Sequence, residues 1–262
     1  MPLSYPLTNG IIDPGITLNA NGAEYLGAQA VPSSLFPQGI AGHLEPSIAP
    51  DGSPAMLGRI ASADLQTYGK IRSEIVADQG VALVGTDTER WYVWEMFVPV
   101  EWSVGGAIVL QQIHDDPDAG ETPIKAPNFV LYCSNTELIA KVPLNTPDES
   151  FTTDRIFGTV TLIKGRWVKC AVHAKWETTN AGFLDFIYDG RIVGREWFRP
   201  SHFPDLRRPY LKLGPYNSSN NPAYISDNYL WYRNVVIWGG ETSPQTALGA
   251  PISPRLMLAN NQ

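Results

Sequence analysis

A chain of 262 residues, 44% hydrophobic and 17% charged, can bury one large core, and no run of about 18 apolar residues offers a membrane span. Its formal charge of −7 argues against nucleic acid, which needs a basic face to replace counterions, and counts mildly against polyanions unless a groove is locally basic. Cys133 and Cys170 are the only cysteines and read as buried free thiols, so no disulfide framework holds the fold.

The 23 Gly, 22 Pro, 11 Tyr and 8 Trp favour strands cut by turns over helices. Residues 1–57, rich in Gly, Pro, Ala and Ser, read as a wrapping N-terminal segment with one or two edge strands, and regular structure is expected from near Gly58. In a core over 58–240, alternation predicts strands at Lys70–Val76, Trp91–Val98, Ala107–His114, Asn128–Cys133, Ile156–Leu162, Trp167–Trp176, Gly182–Tyr188, Arg191–Trp197, Tyr210–Tyr216 and Tyr229–Trp238. Asp189-Gly190 between two such runs is a strong hairpin signal. Residues 115–127 and 217–228 read as long loops beside a binding face, and 241–262 as an extended C-terminal strap. The whole reads as a single all-β domain, two antiparallel sheets packed as a sandwich.

Period-2 geometry sorts the polar side chains by face. Tyr210, Lys212, Gly214 and Tyr216 share one face; Gln112 and His114 share another; Lys70, Arg72 and Glu74 oppose Ile71 and Ile75; Lys169, His173 and Lys175 oppose Cys170, Val172 and Trp176. Collected, Arg72, Gln112, His114, His173, Lys175, Lys212 and Tyr216 make a constellation rich in bases and cations and poor in carboxylates. A glycosidase needs two carboxylates across its cleft, and Asp115, Asp116 and Asp118 read instead as a solvated turn. Gly-x-Ser-x-Gly and zinc-type His/Cys spacings are absent. A His/Tyr pair with Arg, Lys and Gln suits β-elimination on a uronic acid, where cations stabilise an enolate-like intermediate and the pair moves two protons. On residues alone, His114 could equally be a histidine hydrogen-bonded within the sheet, Tyr216 a rim aromatic, and Arg72–Glu74 a cross-pleat ion pair. Trp102 and Trp197, near loops, are candidates to stack on sugar rings.

Arg72-Ser-Glu74, Gln111-Gln-Ile-His114, His173-Ala-Lys-Trp176, Phe183-Leu-Asp-Phe-Ile-Tyr-Asp-Gly190 and Lys212-Leu-Gly-Pro-Tyr216 follow one another as in the jelly-roll polysaccharide lyases, the group of glucuronan lyases and heparin lyase I, which residues 58–240 resemble. Ile113 stands where an aromatic is frequent, and Pro215 interrupts Lys-x-Gly-x-Tyr. The resemblance implies a β-jelly-roll sandwich, concanavalin-like, with a concave substrate cleft. It implies His114 and Tyr216 as proton-transfer residues with Lys212 beside them, and Arg72 facing the substrate. Gln112, Glu74, His173 and Lys175 are expected in support. It requires no cofactor; some relatives carry a structural calcium, for which Asp205 is a candidate ligand.

The expected function is cleavage of a uronic-acid-containing anionic polysaccharide by β-elimination, giving 4,5-unsaturated uronate ends. The alternatives are a non-catalytic carbohydrate-binding module or lectin, and a glycoside hydrolase, on the same scaffold. Beyond the polysaccharide, no nucleic-acid or membrane partner is expected, and the protein reads as a monomer. An extracellular place of action is expected, reached after removal of a signal peptide or by another route such as a virion.

Overall fold

In a computed structural model, residues 44–62, 71–77, 89–115, 126–144, 153–206, 209–219 and 227–239 are described. They form fourteen strands and no helix: β1 (Leu44–Ile48), β2 (Pro54–Ile60), β3 (Ile71–Arg72), β4 (Ile75–Ala77), β5 (Glu89–Phe97), β6 (Ile108–His114), β7 (Phe129–Cys133), β8 (Glu137–Pro143), β9 (Asp154–Thr161), β10 (Trp167–Lys175), β11 (Phe183–Tyr188), β12 (Arg191–Trp197), β13 (Tyr210–Asn217) and β14 (Asn228–Gly239). The strands lie in two antiparallel sheets of seven, ordered β1-β2-β14-β5-β10-β11-β12 and β3-β13-β6-β7-β8-β9, with β4 also paired to β13. This is the β-jelly-roll sandwich expected from sequence.

The core lies between the sheets. Tyr92, Trp94 and Met96 of β5, with Cys170, Val172 and Ala174 of β10, meet Leu110 and Ile113 of β6, Leu131 of β7 and Leu211 and Leu213 of β13. Along β5, β10 and β13 the residues turned into this core alternate, as period-2 geometry requires, whereas on β6 Leu110 and Ile113 are three apart across a register shift. The Trp176 indole donates to the Tyr92 hydroxyl at 2.9 Å, which donates to the Pro209 carbonyl at 3.3 Å, so the polar tips of two buried aromatics are satisfied. Both cysteines are buried and free. At the β11–β12 hairpin, Asp189 and Gly190 have φ of 51° and 76°, the left-handed pair of a type I′ turn.

Regular structure begins earlier than Gly58: β1, from Leu44, is the edge strand, β2 pairs between β1 and β14, and Gly58 lies inside β2. Strand β8 is an addition; its inward Leu138, Ala140 and Val142 alternate correctly, but a small residue and Pro143 weaken the pattern. The predicted strand Lys70–Val76 is interrupted at Ser73-Glu74, with β3 and β4 keeping one register against β13; Lys70 lies outside the described residues, as do 1–43 and the expected strap.

The interruption faces an irregularity on β13. Register shifts between Leu213 and Tyr216 and, on β6, between Val109 and Gln111, so Gly214-Pro215 bulges against Leu110. Pro215 has no N–H to lose from the ladder, and its carbonyl accepts the Ser73 N–H at 2.9 Å. Across the core, the buried Tyr232 hydroxyl donates to the Leu110 carbonyl at 2.8 Å. Gly214, at φ 141°, lies where a side chain is strained, and a Cβ there would overlap the Ser73 carbonyl oxygen and come 2.8 Å from Glu74 Cα. The bulge therefore brings two backbones closer than any other residue permits, and it sits under the polar face.

Candidate active site

The outer face of the β3-β13-β6 sheet collects most of the expected residues. Tyr216 pairs with Arg72 on one side and Val109 on the other; Lys212 pairs with Gln112, and Tyr210 with His114. Paired residues share a face, and Ile71, Leu211, Leu213 and Ile113 point the other way into the core. His114 and the Tyr216 position are five residues apart along β6, at most about 16 Å at 3.3 Å per residue. Gln112 and Lys212 lie between them on the same face.

Glu74 ties this face together. Nearly buried, its Oε1 accepts from Gln112 Nε2 at 2.6 Å, and its Oε2 lies 3.6 Å from Arg72 Nη1. Gln112 keeps a second N–H to offer. The Arg72 guanidinium lies over the Tyr216 ring, 4.3 Å from its centroid, and Lys212 Nζ lies 5.2 Å from that of Tyr210. Burial lowers the pKa of Lys212, Glu74 opposes, Arg72 adds to the lowering and Asp115 opposes. Burial raises the Tyr216 phenol; Arg72 opposes this and Glu74 reinforces it. Tyr216 thus keeps its proton as a potential acid.

His114 stacks near Tyr210, centroids 5.8 Å apart. Its Nδ1 lies 2.9 Å from the carbonyl oxygen and 3.1 Å from Oδ1 of Asp115. Both are acceptors, so Nδ1 carries the proton and Nε2 keeps the free lone pair of a base. Asp115 is not in a solvated turn: its side chain is 0% exposed. Asp116 and Asp118 lie outside the described residues.

A family model described as polysaccharide lyase matches residues 45–236. The chain belongs to the polysaccharide lyase family. Solved structures agree in fold. An endo-β-1,4-glucuronan lyase from the fungus Trichoderma reesei is 18% identical, with a TM-score of 0.59 over 78% of this chain and 88% of that one. An alginate lyase from Pseudomonas aeruginosa is 13% identical, with a TM-score of 0.55 over 79% and 90%. A marine alginate lyase from Aplysia kurodai is 9% identical, with a TM-score of 0.55 over 76% and 87%. No curated protein matches the sequence.

Not every expected residue of this polysaccharide lyase reaches that face. His173 and Lys175 are on β10, in the middle of the other sheet and on its outer side, because Cys170, Val172 and Ala174 fill the core. His173 stacks on Trp91 at 3.9 Å and lies 2.7 Å from Glu89 Oε1; Lys175 lies 3.5 Å from Glu177. They organise the back of the sandwich. Trp102 is buried in the core, and Trp197 stacks on Phe183 on the other sheet, so neither borders Tyr216. Asp205 is nearly buried, and among the described residues no three His, Cys, Asp or Glu are grouped to hold a metal.

Two residues that sequence reasoning missed extend the face. Tyr132 pairs with Val109 beside Tyr216, and Lys141 pairs with Val130, which pairs with Gln112. Lys141 Nζ is 4.8 Å from the Tyr132 centroid and 3.2 Å from Asp154 Oδ1. Recognising β8 would have placed Lys141 here.

Proposed function

We propose that this polysaccharide lyase acts outside the cell on a uronic-acid-containing anionic polysaccharide and cleaves it by β-elimination, leaving a 4,5-unsaturated uronate. What carries the reading is one sheet face bearing an imidazole, a phenol, two cations and an amide, with its neighbouring carboxylates, Glu74 and Asp115, buried. Among the described residues such a face offers no exposed carboxylate pair for hydrolysis. Glucuronan and alginate, named for its structural neighbours, are both uronic acid polymers and are the first substrates to try.

Arg72, Lys212 and the free N–H of Gln112 neutralise the C6 carboxylate, so the C5 proton becomes acidic and the enolate-like intermediate is stabilised. Nε2 of His114 takes the C5 proton. The C5–H electron pair forms the C4–C5 double bond as the C4–O4 bond breaks, and Tyr216 gives its phenolic proton to O4. The imidazolium and phenolate left behind exchange a proton through solvent to restore the starting state.

Incubation with glucuronan, alginate, heparan-type chains and bacterial capsules, read by the ultraviolet absorbance of the unsaturated product, tests this. One polymer is expected to respond, and His114→Ala or Tyr216→Phe to lower turnover about 10²–10⁴-fold, with the melting temperature unchanged in Tyr216→Phe. Near-full activity in both variants overturns the proton-transfer roles. Equal binding of native and carboxyl-reduced polymer, with no product, identifies a lectin instead.

A further inference from the structure

The structure assigns Asp115 as the positioning residue that holds the His114 ring and balances the charge it acquires, an inference that rests on His114 being the base.

Adjacent residues in a strand point to opposite faces, so a histidine and the residue after it do not normally meet. Here β6 ends at His114, and the chain turns so that both the carbonyl and the carboxylate of Asp115 return to Nδ1, at 2.9 and 3.1 Å. The carboxylate is fully buried, and neither oxygen has a hydrogen bond among the described residues. A buried, unbonded carboxylate costs several kcal/mol by desolvation unless a positive group faces it. Two such groups can: Nδ1–H, which becomes a full cation when Nε2 takes a proton, and Lys212, on which Asp115 acts electrostatically.

The surroundings make this compensation necessary. Against His114, β13 presents Tyr210 and Lys212, the segment between β3 and β4 presents Glu74, already held by Gln112, and the position at the head of β7 is the uncharged Asn128. Among the described residues, without Asp115 an imidazolium would form beside the Lys212 ammonium with no free anion facing it. With Asp115, proton uptake completes an ion pair instead of creating a repulsion. The carbonyl alone fixes the tautomer; the carboxylate adds stabilisation of the protonated ring.

Two measurements test the assignment. In the intact wild-type protein, ¹⁵N NMR of the histidine rings at alkaline pH is expected to show His114 with protonated Nδ1 and bare Nε2; the reverse tautomer overturns the inference and requires no variant. In Asp115→Asn, which keeps the shape, kcat is expected to fall about 10- to 100-fold with little change in KM, and the acid limb of kcat/KM to move about one unit to lower pH, because the protonated ring has lost its counter-charge. The ring titration followed by NMR moves the same way. An unmoved limb and an unmoved titration overturn the inference. If both move while His114→Ala keeps full turnover, the pair stands and the base assignment fails.

Discussion

Gly214→Ala tests the link between backbone and site. At φ 141° the new side chain pays conformational strain of about 1–3 kcal/mol, and its overlap with the Ser73 carbonyl adds about 1–3 kcal/mol of overpacking. A loss of about 2–6 kcal/mol corresponds to a fall in melting temperature of roughly 5–20 °C for a domain of this size. Relief of the clash pushes Glu74 away, since its Cα is 2.8 Å from the new Cβ, and Gln112 then loses its 2.6 Å partner. A lost charge-assisted hydrogen bond is worth about 1.5–3 kcal/mol, so kcat/KM falls about 10- to 100-fold. Gly190→Ala is the control: at φ 76° with nothing within 4 Å, it carries strain alone, about 1–2 kcal/mol, far from the site. Thermal unfolding by circular dichroism and steady-state kinetics read the two variants side by side. Equal melting temperatures and equal kcat/KM would refute the reasoning that close approach at Gly214 sets Glu74.

Tyr232→Phe removes the donor to the Leu110 carbonyl in the core and is expected to destabilise by about 1–3 kcal/mol while leaving KM within about twofold; a wild-type denaturant midpoint contradicts this. Burial lowers the pKa of Lys212 from the ordinary lysine value of 10.5 and raises that of Tyr216 from the ordinary 10.0, so an alkaline limb of kcat/KM set by loss of the Lys212 charge is expected below the ordinary lysine value. Since arginine stays charged, Lys212→Arg moves that limb to higher pH, and an unmoved limb assigns it elsewhere.

Alternation in Tyr210–Tyr216 and Ile108–His114 was enough to read which side chains leave the core, and hence that His114, Gln112, Lys212 and Tyr216 share a solvent-facing parity. Parity does not say which sheet a strand joins. His173 and Lys175 had the right parity and the wrong sheet, because β10 pairs with β5 and β11, a long-range choice that local pattern does not encode. Asp115 was misread for a related reason: Asp-Asp-Pro-Asp has turn composition, but its first residue folds back on the preceding histidine. Pro215 looked like a departure from the family motif and proved to mark the bulge opposite Leu110.

Elimination and hydrolysis differ in whether water enters the product. Digestion in ¹⁸O-labelled water of whichever uronic acid polymer responds, followed by mass spectrometry, therefore tests the central claim most directly. The account predicts fragments lighter by one water than hydrolysis products and free of ¹⁸O at the cleaved bond. Fragments of hydrolytic mass carrying one ¹⁸O would contradict it.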